Sequence, residues 1–285
     1  MSKNVYEMVT ERIIAELEKG IIPWQRPWTG TPAGAYSRST GKPYSFINQL
    51  ILGKPGEYLT FKQIQDAGGK VKKGEKASIV VFWKQYPVTE TNEDGETITK
   101  CIPVLRYYNV FHIDQCEGVT PKYAQPVTTA LEPIEHAESI ITGYVDRETL
   151  TFENQEQNRA YYSPAMDKVV VPVLSQFSIV EEYYSTAFHE LTHSTMHPDR
   201  CNRQEERKGK LVAFGSEEYS KEELVAEIGA ASLVNICGIE SEKSFRNSAA
   251  YIQSWLLVLK NDSRMIVSAA SKAEKAVNYI LGIAE

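Results

Sequence analysis

Residues 189–193 read His189-Glu190-Leu191-Thr192-His193, an H-E-x-x-H string. Residues four apart lie on one face of an α-helix, so the side chains of His189 and His193 can reach the same metal ion. Glu190 can then reach a water molecule beside that ion and serve as a catalytic base. The string therefore predicts a metal centre on a helix. The alternative is a solvated helix with two unrelated histidines.

The residues around the string predict the helix that carries it. Apolar side chains recur at helical spacing between residues 180 and 191, and Pro198 is expected to end the helix. The expected helix runs from about Ile179 to about His197. His197 lies on nearly the same face as His193, but it is the weaker candidate ligand, because three ligands on one straight helix form a row instead of surrounding an ion.

A second predicted helix offers the third ligand. It is expected to begin at Ser220 and to run to about residue 237, just before Gly238. Glu223 and Glu227 are four residues apart on this helix, so one can bind the metal while the other holds a ligand histidine. Glu223 is the preferred ligand and Glu227 the alternative. Ser220 and Glu223 also fit a capping box, in which Glu223 would only cap the helix.

Two histidines and one carboxylate leave one position open on a tetrahedral ion, which is typical of catalytic zinc sites. Zinc is the expected ion, with manganese as the alternative. The predicted chemistry is peptide hydrolysis, in which Glu190 takes a proton from water and passes it to the leaving amine. A hairpin predicted over 158–172 could lie along the cleft and pair with an extended peptide, or it could only cover the core.

The charge of the chain is divided unevenly. The net charge is −6 over 285 residues, a length sufficient for two domains. Residues 24–85 hold ten Lys and Arg against three acidic residues, a charge of +7, so the rest of the chain carries −13. Residues 121–131 are rich in turn formers and suit a linker. We therefore expect an α+β protein with two domains, 1–125 and 126–285, that have different partners.

The first half is expected to combine helices with a hairpin. The predicted helices cover Val5–Gly20, a segment ending near Leu52, and Tyr58–Ala67. The predicted strands cover Ile79–Tyr86 and Val104–His112, and Asp94-Gly95 marks the turn between them.

Basic and aromatic residues alternate in this half, as a surface for single-stranded nucleic acid requires. Cations follow the phosphates there, and aromatic rings stack on the bases. The candidate DNA-binding residues are Trp24, Arg26, Trp28, Arg38, Lys42, Tyr44, Lys70, Lys72, Lys73 and Lys76. In the alternative interpretation the aromatic residues belong to the core and the lysines form a solvated face. We expect DNA binding to be carried by residues 1–125.

Export and membrane insertion are not indicated. No apolar run approaches the length needed to cross a bilayer, and the first residues lack the core of a signal peptide. The four cysteines form no C-x-x-C pair. These features predict a cytoplasmic protein without a membrane partner, with reduced and mostly buried thiols.

Several motifs occur in one order along nearly the whole chain. In the first half they are Ile22-Pro23-Trp24-Gln25-Arg26-Pro27-Trp28, Thr40-Gly41-Lys42-Pro43-Tyr44 with Ile47-Asn48, and the segment Gly68–Glu75. In the second half they are Tyr162-Ser163-Pro164, the H-E-x-x-H string, His197-Pro198 with Arg200, and Phe214-Gly215-Ser216 followed by Glu222–Glu227. By these motifs the chain resembles the ArdC-type antirestriction proteins of plasmids and other mobile elements, which are also similar to primase-associated plasmid proteins.

The resemblance implies an N-terminal domain that binds single-stranded DNA and a C-terminal zincin-like metallopeptidase domain. It also implies that the protein protects incoming plasmid DNA from host restriction during conjugation, with a host restriction protein as a candidate substrate. His189 and His193 would be ligands, Glu190 the base, and Glu223 or Glu227 the third ligand. Family members often have Trp after the second histidine, and Ser194 at that place is expected to change the lining of the cleft.

Two other functions stay open at this point. In the first, the chain is a DNA-binding antirestriction factor whose metal site is structural or vestigial. In the second, it is a protease whose basic half recruits protein. The presence of Glu190 favours catalysis, because a purely structural ion needs no base beside it.

Overall fold

The computed structural model describes residues 4–25, 34–91, 97–123, 133–177, 179–203, 217–239 and 249–283. In the first half the helices are α1 (Val5–Leu17), α2 (Phe46–Leu52) and α3 (Phe61–Asp66), and the strands are β1 (Ala35–Ser37), β2 (Gly56–Leu59), β3 (Lys70–Val71), β4 (Ser78–Thr91), β5 (Thr97–His112) and β6 (Cys116–Glu117). In the second half the helices are α4 (Pro133–Glu148), α5 (Val180–Ser194), α6 (Glu217–Cys237), α7 (Ala249–Asn261) and α8 (Met265–Leu281), and the strands are β7 (Thr151–Gln155), β8 (Tyr161–Ser163) and β9 (Lys168–Pro172). The α+β class predicted from the sequence is confirmed.

A four-stranded sheet organises the first half, in the order β1-β2-β5-β4. β1 lies parallel to β2, whereas β5 is antiparallel to both β2 and β4. β4 and β5 pair with each other far beyond the end of β2 and form a long hairpin, from Ser78 opposite Val110 to Thr91 opposite Thr97. The expected turn at Asp94-Gly95 lies outside the described residues.

Local signals explain how the first helices begin and where they lie. The Asn4 side chain accepts a hydrogen bond from the Glu7 N–H, and the Glu7 carboxylate accepts one from the Asn4 N–H, so α1 begins with a capping box. Asn48 of α2 bonds the backbone of Val81 with both halves of its amide, at 2.8 and 2.7 Å. α2 thereby closes the outer edge of β4 at this point.

A small sheet and a helical layer form the second half. The strand order is β7-β9-β8, with β9 parallel to β7 and antiparallel to β8. The β8–β9 pair is the hairpin expected over 158–172, and the valines 169–171 of β9 are fully buried. α5 packs against β8 and β9, α6 packs against α5, and α8 packs against α6.

One hydrophobic core joins the two halves. α1 packs against α7, α2 packs against α8, and α6 contacts the 3-10 turn Pro23–Gln25. Trp24 in that turn is fully buried and meets Trp255 of α7 edge to face, with ring centroids 6.2 Å apart. The domain boundary near residue 125 stays a prediction, since residues 124–132 lie outside the described residues.

Some expectations need correction. The helix expected over Tyr58–Ala67 is wrong at its start, because residues 56–59 pair as β2 and the helix begins only after Thr60. The cysteines are all free, but only Cys116 and Cys237 are buried. Within the described parts of the chain, no helix combines the length and the apolar character needed to cross a membrane.

Candidate metal centre

The centre lies where α5 and α6 pack closely together. A glycine makes this approach possible, because a Cβ built on Gly229 of α6 would lie 2.6 Å from Cγ2 of Thr192 in α5. Any larger residue would therefore push the two helices apart. Thr192 precedes His193, so the closest approach of the helices is also where the histidines face α6.

Three side chains converge between these helices. The Nε2 atoms of His189 and His193 are 3.1 Å apart. Glu223 of α6 places Oε2 at 3.4 Å from the first ring and Oε1 at 3.4 Å from the second. Ligand bonds of 2.0–2.1 Å in tetrahedral geometry would separate the ligand atoms by about 3.3 Å. The three distances therefore fit a single divalent ion, and the three residues offer ligand atoms that all lie within 4.8 Å of one another.

Two more glutamates of α6 stand behind the histidines. Glu222 Oε1 lies 3.4 Å from Nδ1 of His193, and Glu227 Oε1 lies 3.8 Å from Nδ1 of His189. A carboxylate beside Nδ1 favours the tautomer with the proton on that atom, which leaves the Nε2 lone pair for a metal. Arg203 anchors Glu222 through bonds of 2.7 and 3.1 Å to its two oxygens.

The carboxylates make this buried site strongly attractive to positive charge. Burial by itself would lower the pKa of His193, but Glu222 and Glu223 outweigh it and raise that pKa to about 10. Burial likewise acts to raise the pKa of Glu223, yet its contacts with His189 and His193 hold that pKa well below the usual range. The field that favours a proton here also favours a divalent cation.

Glu190 sits at the edge of the same site. Its side chain is largely buried, and its charge is near enough to His193 to raise the pKa of that ring. Within the described part of the chain, the Glu190 carboxylate has no hydrogen-bond or ion-pair partner. A water molecule bound to an ion held at this site would thus find an acceptor that is not already engaged.

The structure changes several details of the site that the sequence predicted. α5 ends at Ser194, so His197 lies in the following turn, where its Nδ1 accepts a bond from the Asp199 N–H at 3.3 Å. α6 begins at Glu217, so Ser220 lies within the helix and the capping box with Glu223 is wrong. Glu223, and not Glu227, completes the three-residue cluster.

Ser194 does not line a cleft, which corrects the expectation for this position. Its side chain is fully buried and contacts the hydroxyl of Tyr144 in α4 at 2.9 Å. Glu222 and its partner Arg203 were not predicted from the sequence to belong to the site. A usable signal was present, because two ligand histidines each need a partner for Nδ1 and the helix carries three glutamates between residues 222 and 227.

Comparison with known proteins agrees with this two-part architecture. Residues 3–111 match the N-terminal domain of anti-restriction factor ArdC, and residues 136–272 match a zincin-like metallopeptidase. The crystal structure of metal-free antirestriction ArdC protein from plasmid R388 is 33% identical, with a TM-score of 0.71 over 99% of this chain and 98% of that chain. The chain belongs to the ArdC antirestriction family.

Two further matches place this ArdC family member among known proteins. The Mn(II)-bound crystal structure of the R388 ArdC protein is 32% identical, with a TM-score of 0.72 over 99% of this chain and 98% of that one. A DNA primase TraC of Escherichia coli is 33% identical over 99% of this chain. The chain spans only 27% of the length of that primase. The Mn(II)-bound relative and the cluster found here both indicate a divalent metal site in this ArdC family protein.

The candidate DNA-binding residues of this ArdC family protein differ in how exposed they are and in what they contact. Trp24 has no exposed surface, so its assignment as a stacking residue is corrected to a core residue. Tyr44 is half-buried and packs against a small cluster that includes Tyr58. Arg26 and Trp28 lie outside the described residues.

The basic candidates also differ from one another in their contacts. Arg38 pairs with the buried carboxylate of Glu57 and donates to the Thr120 carbonyl. Lys70 pairs with Glu117 at 3.0 Å, and Lys72 donates to the Asp114 carbonyl at 2.8 Å. The three remaining lysines, Lys42, Lys73 and Lys76, are exposed. The exposed lysines therefore stay predicted phosphate contacts.

Proposed function

We propose that this protein is an antirestriction factor of a mobile element that combines a metal-dependent peptidase site with binding of single-stranded DNA, and that it protects incoming plasmid DNA from host restriction. The observation that carries the peptidase part is the convergence of His189, His193 and Glu223 on one point, with an unengaged Glu190 beside it. A purely structural site would need a fourth protein ligand. Among the described residues, the cluster contains three.

Each residue has a role that follows from its place. A divalent ion held by the three ligands would act as a Lewis acid toward water and a peptide carbonyl. Glu190 would accept the proton of the attacking water and deliver it to the leaving amine. Glu222 and Glu227 would keep the two rings oriented through Nδ1. We propose zinc as the ion, since two histidines and one carboxylate suit it, and manganese as the alternative supported by the Mn(II)-bound relative.

The small sheet of the second half supports a peptide as the substrate. β8 lies at the edge of that sheet, and α5 packs against β8 as well as β9. Among the described residues, the outer side of β8 has no strand partner. An extended peptide could add to this edge and bring a peptide bond toward the metal helix. A protein of the host restriction machinery is the proposed target.

A Glu190→Gln variant of the full-length protein tests whether hydrolysis is the working chemistry. Plasmid transfer into a restricting and a non-restricting host measures protection, and metal analysis of the purified proteins measures binding. We expect Glu190→Gln to keep its metal and lose protection, His193→Ala to lose both, and Glu181→Gln, near the start of the same helix, to keep both. Full protection by Glu190→Gln would refute the peptidase role and favour a factor that acts through DNA binding alone.

A further inference from the structure

One face of the β4–β5 hairpin carries aromatic rings and cations side by side. Residues opposite one another in an antiparallel pair point to the same side, and the register places Val80 opposite Tyr108, Phe82 opposite Arg106, and Lys84 opposite Val104. We call this surface the basic aromatic face. It comprises Phe82, Lys84, Tyr86, Arg106 and Tyr108.

Two rings of this face stack on each other, and the outer one, Tyr108, is open to solvent. Tyr108 is 57% exposed and stacks on Phe82, with centroids 4.5 Å apart and planes 7° apart. One side of the tyrosine ring is therefore packed against protein. Its exposed surface is available to a further flat ring at little cost in side-chain entropy.

The cations of this face are held by aromatic rings and not by acids. The Lys84 ammonium lies 5.1 Å from the centroid of the Tyr86 ring, and the Arg106 guanidinium lies 6.0 Å from it. Neither cation has a carboxylate partner among the residues that the structure describes. Segments 78–89 and 97–112 contain no Asp or Glu, and the acidic residue of the two strands is Glu90, near the far end of β4.

A cavity adjoins the stacked rings of Phe82 and Tyr108. It has a volume of about 660 Å³ and is lined by Phe82 and Tyr108 on the hairpin side. Ser39, Thr60 and Gln63 contribute polar groups to its wall, and so does Glu274, a carboxyl group whose pKa burial raises. This volume falls within the range of small-molecule sites and is ample for one nucleobase.

We infer that single-stranded DNA runs along the basic aromatic face, with one base stacked on Tyr108, a neighbouring base in the adjoining cavity, and phosphates beside Lys84 and Arg106. This inference rests on the proposed function and names the surface that carries its DNA-binding part. Stacking needs unpaired bases, so a single strand fits and a duplex does not. Stacking accepts every base, since each has a flat ring face, which suits a protein that meets DNA of arbitrary sequence.

The chain offers a matched pair of variants for the test. Tyr107 and Tyr108 are neighbours of the same type, 43% and 57% exposed, on opposite sides of the hairpin. Fluorescence anisotropy with a labelled oligothymidine measures binding by full-length protein, and circular dichroism checks folding. We expect Tyr108→Ala to weaken binding about 5- to 150-fold, the range for one stacked base. Tyr108→Phe and Tyr107→Ala are expected to stay within about twofold of wild type, since they keep the stacking ring.

The charged residues are tested by salt dependence. Arg106→Ala is expected to lower the slope of log affinity against log salt by about 0.7, the value for one phosphate contact on a single strand. Equal effects of Tyr107→Ala and Tyr108→Ala would overturn the inference. So would binding that is lost in a Lys72→Ala/Lys73→Ala variant but kept in Tyr108→Ala. If wild-type protein itself shows no salt-dependent binding, the DNA-binding part of the proposed function fails instead.

Discussion

Replacing Gly229 with alanine tests how closely α5 and α6 must approach to build the metal centre. The new Cβ would lie 2.6 Å from Cγ2, 2.8 Å from Oγ1 and 3.3 Å from Cβ of Thr192. Thr192 is fully buried, so its side chain cannot turn away into solvent and the helices must separate. Overpacking of this kind costs roughly 1–3 kcal/mol.

A control variant isolates that cost. Alanine stabilises a helix relative to glycine by roughly 0.5–1 kcal/mol, and this gain also applies to Gly143→Ala in α4. A Cβ at Gly143 would meet no atom of the described residues within 4 Å. The difference in unfolding free energy between the two variants should therefore be about 1–3 kcal/mol, with Gly229→Ala the less stable. Urea unfolding in the presence of a chelator measures this difference without the contribution of the metal.

The same variant should also weaken metal binding. Separation of the helices carries Glu223 away from His189 and His193, so we expect a loss of about 10- to 100-fold, as when residues that orient metal ligands are changed. Adding Thr192→Ala removes the two closest atoms and should restore both stability and affinity. If Gly229→Ala matches Gly143→Ala in stability and wild type in metal affinity, the close packing of the helices is not what positions Glu223.

Three further changes probe other parts of the structure. Glu227→Gln should weaken metal binding about 10- to 100-fold in calorimetric titrations, and Glu223→Gln should weaken it more. Equal losses in the two variants would contradict the assignment of Glu223 as the ligand. Burial acts to raise the pKa of Asp167, but Arg200 outweighs it and lowers that pKa. The ionised carboxylate therefore stabilises the fold above about pH 4, and this stabilisation disappears as pH falls through the lowered pKa. Asp167→Asn suits the positive φ of 44° at this position. It should reduce stability by roughly 1–3 kcal/mol at pH 7 and by less at pH 3. An equal loss at both pH values would argue against the ion pair. Trp24→Ala should cost roughly 3–5 kcal/mol of stability and leave the oligothymidine affinity of the folded protein unchanged. A loss of affinity as large as that of Tyr108→Ala would show that Trp24 contacts DNA.

Elements with strong local signals could be predicted from the sequence. The apolar spacing over residues 180–191 predicted α5 because helical periodicity is a property of neighbouring residues. Gly238, with φ of 75°, ends α6 at the expected place. The hairpin strands were also predicted, although β4 and β5 extend beyond the expected ends, because cross-strand pairing lengthens strands that propensity alone would end sooner.

The errors occur where distant parts of the chain decide the structure. Residues 56–59 form a strand because β1 pairs with residues 56–58 and β5, some fifty positions later, pairs with Tyr58 and Leu59. The capping box of Thr60 and Gln63 was a readable local signal that the helix starts after this strand. Composition could not distinguish a stacking tryptophan from a core tryptophan at position 24, since its partner Trp255 lies near the other end of the chain.

The shared core makes a single cooperative unfolding transition the expected behaviour of the whole chain. α7 and α8 cover α1 and α2, and the Thr10 hydroxyl of α1 donates to the Ser263 carbonyl at 2.7 Å. A fragment ending at residue 125 would lack these covering helices, so DNA binding is better assigned by point variants of the full chain.

Because the halves share one core, metal binding to α5 and α6 should stabilise both halves together, as a ligand of the native state does. Urea unfolding followed by tryptophan fluorescence and by far-UV circular dichroism should give coincident curves that shift together when metal is added. Two separated transitions, with only one sensitive to metal, would show that the halves unfold independently.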